Sequence, residues 1–174
     1  MSGPRRPWTR LAGAAIAGHV FFELGAGVGM PLASVLGPAP AAGLWAIGAA
    51  AVQTAAGSPS RDTTLAVVNG MNLAAAIGHL SGWPRGRTRL GLPWLTDCEG
   101  LGPELMRWYN PIIYAGGVAA AAALATETRA APRWAGLTPL LLVPALVRVQ
   151  HIEHERLRRL AIRRPGWWNR RLQP

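Results

Sequence analysis

Lysine is absent from this chain of 174 residues, whose 18 basic side chains are all arginine. Phenylalanine and tyrosine are scarce, with two residues of each. The apolar half of the sequence is mostly Ala, Leu, Gly and Val, which fill a soluble core poorly but let transmembrane helices approach closely. The single cysteine, Cys98, excludes an internal disulfide and a zinc site made only of cysteines from this chain.

Acidic residues are few, and the formal net charge is +10. The arginines lie in clusters at residues 5–10, 85–89 and 156–171, at the edges of long apolar runs. This distribution is typical of charges held at a membrane surface beside anionic lipid. We therefore predict the lipid bilayer as a partner and exclude nucleic acid.

Five apolar runs follow one another along the chain, at residues 11–36, 41–57, 63–82, 111–126 and 134–150. A bilayer core requires about 20 residues of helix. The runs therefore predict an all-α fold, a polytopic transmembrane helical bundle of about five spans. Four spans are the alternative, because the run at 111–126 is short and rich in alanine.

The C-terminal end is strongly basic and contains two adjacent tryptophans. We divide the chain into a transmembrane bundle, residues 1–155, and a basic interfacial tail, residues 156–174, that begins as an amphipathic helix. The surplus of Arg over Lys indicates a bacterium with a GC-rich genome. Because basic loops favour the cytoplasmic side, we predict a multi-pass protein of the bacterial cytoplasmic membrane with its C-terminus in the cytoplasm. A membrane-impermeant maleimide should then reach Cys98 only from that side.

His19 and Glu23 are ionisable residues inside the first predicted span, and their i, i+4 spacing places them on one helix face. Ionisable groups in a membrane segment usually face a partner or a cavity. We predict Glu23 as a catalytic acid or base and His19 as its catalytic partner. A structural hydrogen bond between helices is the alternative. Gly25 and Gly29 follow, and their spacing predicts a face for close helix packing.

The third predicted span carries Asn69, Asn72 and His79 on one stripe of its surface. Such a stripe either faces a cavity or forms hydrogen bonds with neighbouring helices. If it faces the ionisable pair of the first span, the bundle contains a polar pocket. We predict that these three residues bind the substrate together with Tyr114 of the fourth span.

The chain between the third and fourth predicted spans, residues 90–106, contains Asp97, Glu99 and Glu104 among glycines and prolines. The basic cluster at residues 85–89 is the expected partner of these acids, because surface charges are usually solvated or paired. A lid over the pocket is the alternative interpretation of this segment.

His151, His154 and Glu155 have the spacing of metal ligands on one helix face. Arginines flank all three, which disfavours a dication. We therefore predict no metal and no cofactor, and we expect these acids to pair with arginines one turn away.

The His-x-x-x-Glu pattern at residues 19–23 resembles that of the emopamil-binding sterol isomerases, in which a membrane histidine and glutamate are associated with moving a double bond. The resemblance covers five residues of the 174, so no residue role is carried over from it. Two functions follow from the sequence. One is an enzyme that acts by proton transfer on a lipid-soluble small molecule such as an isoprenoid or polyprenyl compound. The alternative is a non-catalytic structural or regulatory subunit that docks on other membrane subunits or on a second copy of the chain.

Overall fold

The computed structural model describes residues 5–174, and most of them are helical. The α-helices are α1 (Pro7–Ala26), α2 (Ala33–Leu36), α3 (Pro38–Ala55), α4 (Asp62–Gly82), α5 (Pro103–Thr126), α6 (Arg133–Leu137) and α7 (Val143–Arg163). Three 3-10 helices lie at Pro59–Arg61, Thr138–Leu142 and Trp167–Leu172. Between α4 and α5 a short hairpin pairs β1 (Arg85–Arg87) with β2 (Pro93–Leu95) in antiparallel register.

Proline and glycine set the ends of several helices. A proline occupies the first turn of α1, α3 and α5, where its missing N–H costs no intrahelical hydrogen bond. Gly27 ends α1 in the left-handed conformation, with φ of 89°. The predicted first span is therefore broken after residue 26, and Gly29 lies outside the helix. The packing face predicted for Gly25 and Gly29 is wrong, since a Cβ at Gly25 would meet no atom within 4 Å.

The centre of the fold is formed by α1, α4 and α5. α5 packs along both α1 and α4, while α3 covers α1 and both α6 and α7 cover α4. Two adjacent glycines of α5 permit this arrangement. A Cβ at Gly116 would lie 3.3 Å from the Cβ of Ala15 in α1, and one at Gly117 would lie 3.2 Å from that of Ala76 in α4. Small residues thus bring the three helix backbones close together.

The membrane bundle of five spans predicted from the sequence is wrong, and its four-span alternative is not supported either. In the part of the chain that the structure describes, one helical stretch, Arg133–Arg163, is long and apolar enough to cross a bilayer. α1, α3, α4 and α5 are 18 to 24 residues long, so length does not exclude them. Their apolar residues are largely Ala and Gly, which offer little apolar surface, and polar side chains interrupt each helix.

The predicted boundary at residue 155 is not a structural break, because α7 continues through it. After α7 the chain folds back onto the segment that follows α1. The Gly29 amide donates to the Trp168 carbonyl at 2.8 Å, and the Arg171 amide donates to the Gly27 carbonyl at 2.9 Å. The basic tail is therefore packed against the end of α1.

The acids of residues 90–106 do not pair with the arginines of residues 85–89, which form no ion pair within residues 5–174. Asp97 accepts a hydrogen bond from the Gly102 amide at 3.0 Å. Glu104 pairs with Arg171 of the tail at 2.8 Å. Glu99 is buried, so this part of the segment lies in the interior of the protein.

A carboxylate from the end of α5 stabilises the start of α1. Glu127 accepts hydrogen bonds from the amides of Trp8 at 2.7 Å and Thr9 at 2.8 Å. Amides in the first turn lack partners within the helix, and the N-terminus favours negative charge. We expect Glu127→Ala to lower the free energy of unfolding by about 1–2 kcal/mol, as removal of a helix cap does. Chemical denaturation followed by circular dichroism measures the change.

Glu155 supplies the matched control for this prediction. It pairs with Arg159 on the exposed surface of α7, and 57% of its side chain is accessible. Exposed pairs of this kind contribute little, so Glu155→Ala should change stability by no more than about 0.5 kcal/mol. Equal losses of unfolding free energy in Glu127→Ala and Glu155→Ala would show that Glu127 does not act as a cap.

Candidate active site

Polar side chains from three helices and one loop meet in the space between α1, α4 and α5. We call this group the buried cluster: His19 and Glu23 of α1, His79 of α4, Tyr109 of α5, and Cys98 and Glu99 of the loop before α5. No member exposes more than 7% of its surface. The spacing of one turn between His19 and Glu23 points both into this space, as the sequence indicates. The structure thus brings the predicted catalytic pair beside His79.

Glu23 lies in the middle of the buried cluster. The Tyr109 hydroxyl donates a hydrogen bond to its Oε1 atom. The Nε2 atom of His79 lies 3.9 Å from the same oxygen. The Oε2 atom is buried and has no hydrogen-bond partner. Because an unpaired buried polar atom lowers stability by about 1–3 kcal/mol, it calls for a functional explanation.

The tautomer of His79 follows from its backbone contact. Its Nδ1 atom lies 2.9 Å from the Ala75 carbonyl oxygen, which can only accept, and 3.2 Å from the Nε2 atom of Gln150. We assign the proton to Nδ1, which then donates to the carbonyl, the shorter of the two contacts. Nε2 then keeps its lone pair and faces Glu23. The His19 ring meets the His79 ring edge-on, with centroids 5.1 Å apart and an interplanar angle of 81°. Two imidazoles therefore flank the carboxyl group.

Burial decides the charge of these groups. It raises the pKa of Glu23 well above its usual value, and the negative charge of Glu99 adds to the rise. Burial also lowers the pKa of His19 to about 3, with a further contribution from His79. The pKa of Glu99 rises to about 7 because of burial and the charge of Glu153. Burial thus favours the protonated, neutral form of Glu23 and the neutral forms of the two imidazoles beside it.

A narrow crevice between α1, α4 and α5 leads to the buried cluster. His19, His79 and Asn72 line it together with alanine and isoleucine side chains, and it has room for about one water molecule. The Nδ2 atom of Asn72 is buried there without a partner. The crevice admits water or an ion as it stands, and a larger ligand requires the lining helices to move apart.

The other residues predicted to bind substrate lie elsewhere. Asn69 is buried between α4 and α1 and donates to the Thr9 hydroxyl at 3.0 Å. Tyr114 donates to the Pro93 carbonyl, and its ring stacks on Trp94. Tyr114 thus supports the hairpin. Of the polar stripe predicted on α4, Asn72 and His79 line the crevice.

Sequence reasoning missed three members of the buried cluster, namely Tyr109, Cys98 and Glu99. Tyr109 shares its helix face with the buried Met106 and Ile113, and their spacing is visible in the sequence. Glu99 has a φ of 53°, in the left-handed region, and turns the loop into the fold. Nothing short of the structure indicates that this loop reaches α1 and α4.

Two sets of side chains in the described residues bring potential metal ligands within 4.8 Å of one another. The first is His19, Glu23 and His79, and the second is His79, Cys98 and Glu99. Imidazole, carboxylate and thiolate are the donors that zinc takes in proteins. Both sets belong to the buried cluster.

The residues singled out near the end of the chain take other partners. His151 Nε2 lies 3.0 Å from the Gly82 carbonyl oxygen. Glu155 pairs with Arg159, as the helical spacing suggests. The His154 ring meets Trp83 edge-on, with centroids 5.3 Å apart. The His151 ring also packs on Trp83, with centroids 4.5 Å apart, so both histidines contact the same indole.

Cys98 is fully buried, so the maleimide experiment has a different expected result from the one-sided labelling predicted above. Burial and the charge of Glu99 also raise the pKa of its thiol, and the thiolate is the reactive form. We expect no labelling of the folded protein from either side and complete labelling after denaturation. Mass spectrometry counts the adducts, and rapid labelling of the folded protein would contradict the buried loop.

No protein-family model, curated protein or solved structure matches this chain. Functional inference therefore starts from the residues of the buried cluster and from the surface around it.

Proposed function

We propose that this protein is a membrane-bound enzyme that moves a proton within a lipid-soluble substrate of the isoprenoid or polyprenyl class. Glu23 takes and returns the proton, His19 and His79 flank it, and Tyr109 orients its carboxyl group. The observation that carries the proposal is the convergence of ionisable side chains around a buried carboxyl group with one unpaired oxygen.

The partners of the other acids argue against a merely structural Glu23. Asp62 pairs with Arg6, Glu104 with Arg171 and Glu155 with Arg159. The sequence holds 18 arginines, yet none lies within ion-pair distance of Glu23 in the described part of the chain. Glu127, which also lacks an arginine, uses both of its oxygens to cap α1, whereas Glu23 leaves Oε2 without a partner among the described residues. A proton carrier, in turn, benefits from an apolar setting that shifts its pKa toward the operating pH.

The apolar surface supports a membrane location. Only 17% of the most apolar window of Arg133–Arg163 is buried within the fold. Leu137, Leu141 and Val149 each expose more than half of their surface. Exposed apolar surface of this extent marks a membrane or protein contact. The arginines that follow in α7 suit anionic headgroups, so we place the basic end at the cytoplasmic face of a bacterial membrane.

The proposed reaction is an isomerisation. Glu23 donates its proton to one carbon of the substrate's double bond and takes a proton from another carbon, so one C–H bond forms, one breaks, and the double bond moves. No co-reactant is consumed. The Tyr109 hydroxyl holds Oε1, and Oε2 remains free for the substrate. General acid–base catalysis of this kind contributes a factor of about 10²–10⁴ to the rate.

Solvent deuterium provides the test, because a proton carried by Glu23 exchanges with water between turnovers. The purified protein is incubated in D2O with a bacterial lipid extract supplemented with polyprenyl alcohols, quinones and isoprenoid ketones. We expect one lipid species to gain deuterium at carbon, which mass spectrometry detects. If no species gains deuterium beyond a heat-inactivated sample, the enzyme proposal is wrong.

If the protein is instead a subunit of a larger membrane complex, the same purified sample should give a different result. The exposed apolar residues would then be covered by other chains that co-purify in fixed ratio. A stoichiometric partner together with the absence of deuterium transfer would favour the subunit.

A further inference from the structure

The half of the buried cluster that faces the loop contains a nitrogen, a sulfur and an oxygen donor. His79, Cys98 and Glu99 place these atoms within 4.8 Å of one another. Glu23 and Glu99 are the buried acids among the described residues, and none of the ion pairs there joins either of them to an arginine. Two carboxyl groups and a thiol thus share an interior that offers no permanent positive charge to balance them.

We propose that His79, Cys98 and Glu99 bind a zinc ion. The His79 tautomer suits this role, because Nδ1–H donates to the Ala75 carbonyl and leaves the Nε2 lone pair inside the cluster. Ligating histidines in zinc sites almost always make such a second hydrogen bond. The dication supplies the positive charge that the arginines do not.

The donor set favours zinc over other divalent cations. Magnesium and calcium prefer oxygen ligands, whereas thiolate and imidazole favour zinc and related transition metals. Three protein ligands leave the fourth position of a tetrahedral site open, which is the arrangement of catalytic zinc. Binding displaces the thiol and carboxyl protons, so affinity increases with pH.

The proton carrier lies beside one of the proposed ligands. Glu23 Oε1 lies 3.9 Å from His79 Nε2, and its Oε2 atom has no partner. This part of the inference rests on the proposed function and narrows its substrate to a lipid that bears a carbonyl group next to the migrating double bond. A zinc ion at this site would hold and polarise the carbonyl group and so orient the double bond toward the Glu23 carboxyl group, which donates and takes the proton. No oxidant or reductant is required.

The crevice at His19 and His79 borders one of the three proposed ligands and has room for about one water molecule. Metal can enter before the loop with Cys98 closes during folding. The experiment therefore supplies metal in the growth medium.

Cobalt(II) is the probe, because four-coordinate cobalt bound to a thiolate has a charge-transfer band that zinc lacks. The chain has one cysteine, so any such band reports Cys98. We expect protein produced in cobalt medium to contain one cobalt per chain and to show the band. Added zinc should remove the band as it replaces cobalt. Absence of the thiolate band in the metal-loaded protein would overturn the proposal.

Variants separate the ligands from the proton carrier. Cys98→Ser and His79→Ala should weaken cobalt binding more than about 100-fold, beyond the loss typical of outer-shell partners. Glu23→Gln should keep the band. Zinc should raise the midpoint of thermal unfolding of the parent and of Glu23→Gln but not of Cys98→Ser. Bound cobalt, measured by elemental analysis, that is lost in Glu23→Gln and kept in Cys98→Ser would assign the metal to His19, Glu23 and His79 and reject the proposal.

Different results would reject the proposed reaction and the proposed zinc site. Deuterium transfer in a protein that never binds cobalt or zinc would reject the metal site and leave the enzyme. A stoichiometric metal in a protein that transfers no deuterium to any lipid would reject the reaction and leave the site.

Discussion

Replacing Glu23 with Gln is expected to lower the rate of deuterium transfer into the lipid substrate about 100-fold or more. The amide keeps the shape of the carboxyl group and its Oε1 still accepts the Tyr109 hydroxyl, but it cannot take up or release a proton. The loss should appear in kcat, because substrate contacts are unchanged. Mass spectrometry of the lipid over time measures the rate.

The same variant should fold normally. Burial raises the pKa of Glu23 and so favours its neutral form, which Gln matches in charge and shape. We expect the free energy of unfolding to stay within about 1 kcal/mol of the parent, the size of one hydrogen bond. Glu155→Gln, the same substitution on the exposed surface, should leave both rate and stability unchanged. A Glu23→Gln protein with full activity would remove Glu23 from the reaction.

Replacing Gly70 with Ala should destabilise the fold by about 3 kcal/mol, at the upper end for overpacked cores. Gly70 is buried in α4 where α6 crosses it. A Cβ there would lie 2.3 Å from the Gly136 carbonyl oxygen and 3.0 Å from Pro139 Cγ. Because the nearest atom belongs to the backbone, no side-chain rotation relieves the clash, and α4 and α6 must separate. Denaturant unfolding measures the loss.

Gly48 is the matched control. It is an exposed residue in the interior of α3, and a Cβ there would meet no atom within 4 Å. Alanine is the better helix former, so Gly48→Ala should stabilise the protein by about 0.5–1 kcal/mol. We expect Gly70→Ala to lower the free energy of unfolding and Gly48→Ala to raise it. A neutral Gly70→Ala would show that the contact of α4 with α6 is looser than the structure indicates.

The helical segments were largely predictable, and the membrane topology was not. The apolar run at residues 63–82 corresponds closely to α4, and the run at 41–57 to α3. Runs of Ala and Gly, however, are also what closely packed helices of any kind require. Their small apolar surface does not make α1, α3, α4 or α5 apolar enough to span a bilayer. The hairpin between α4 and α5 has too few residues for a periodicity to show.

The part of the candidate site that depends on spacing within single helices was likewise predictable. The spacing of His19 and Glu23 places them on one face of one helix without reference to any other element. The stripe of α4 follows from the same periodicity, and His79 indeed lies beside the pair. Tyr114 was misplaced because a shared helix face does not reveal which neighbour that face meets, and its hydroxyl instead binds Pro93.

The sequence by itself determined where most helices form and which ionisable side chains share a helix face, because both depend on interactions within a few residues. Only the tertiary structure decided that α1 and α4 meet at His19 and His79 and that the Cys98–Glu99 turn enters the same space. It also decided that Glu23 and Glu99 are buried and that no arginine among residues 5–174 forms an ion pair with either of them. Such contacts join residues far apart in the chain, and their free energy depends on the packing of several helices at once. No local pattern of residues encodes them.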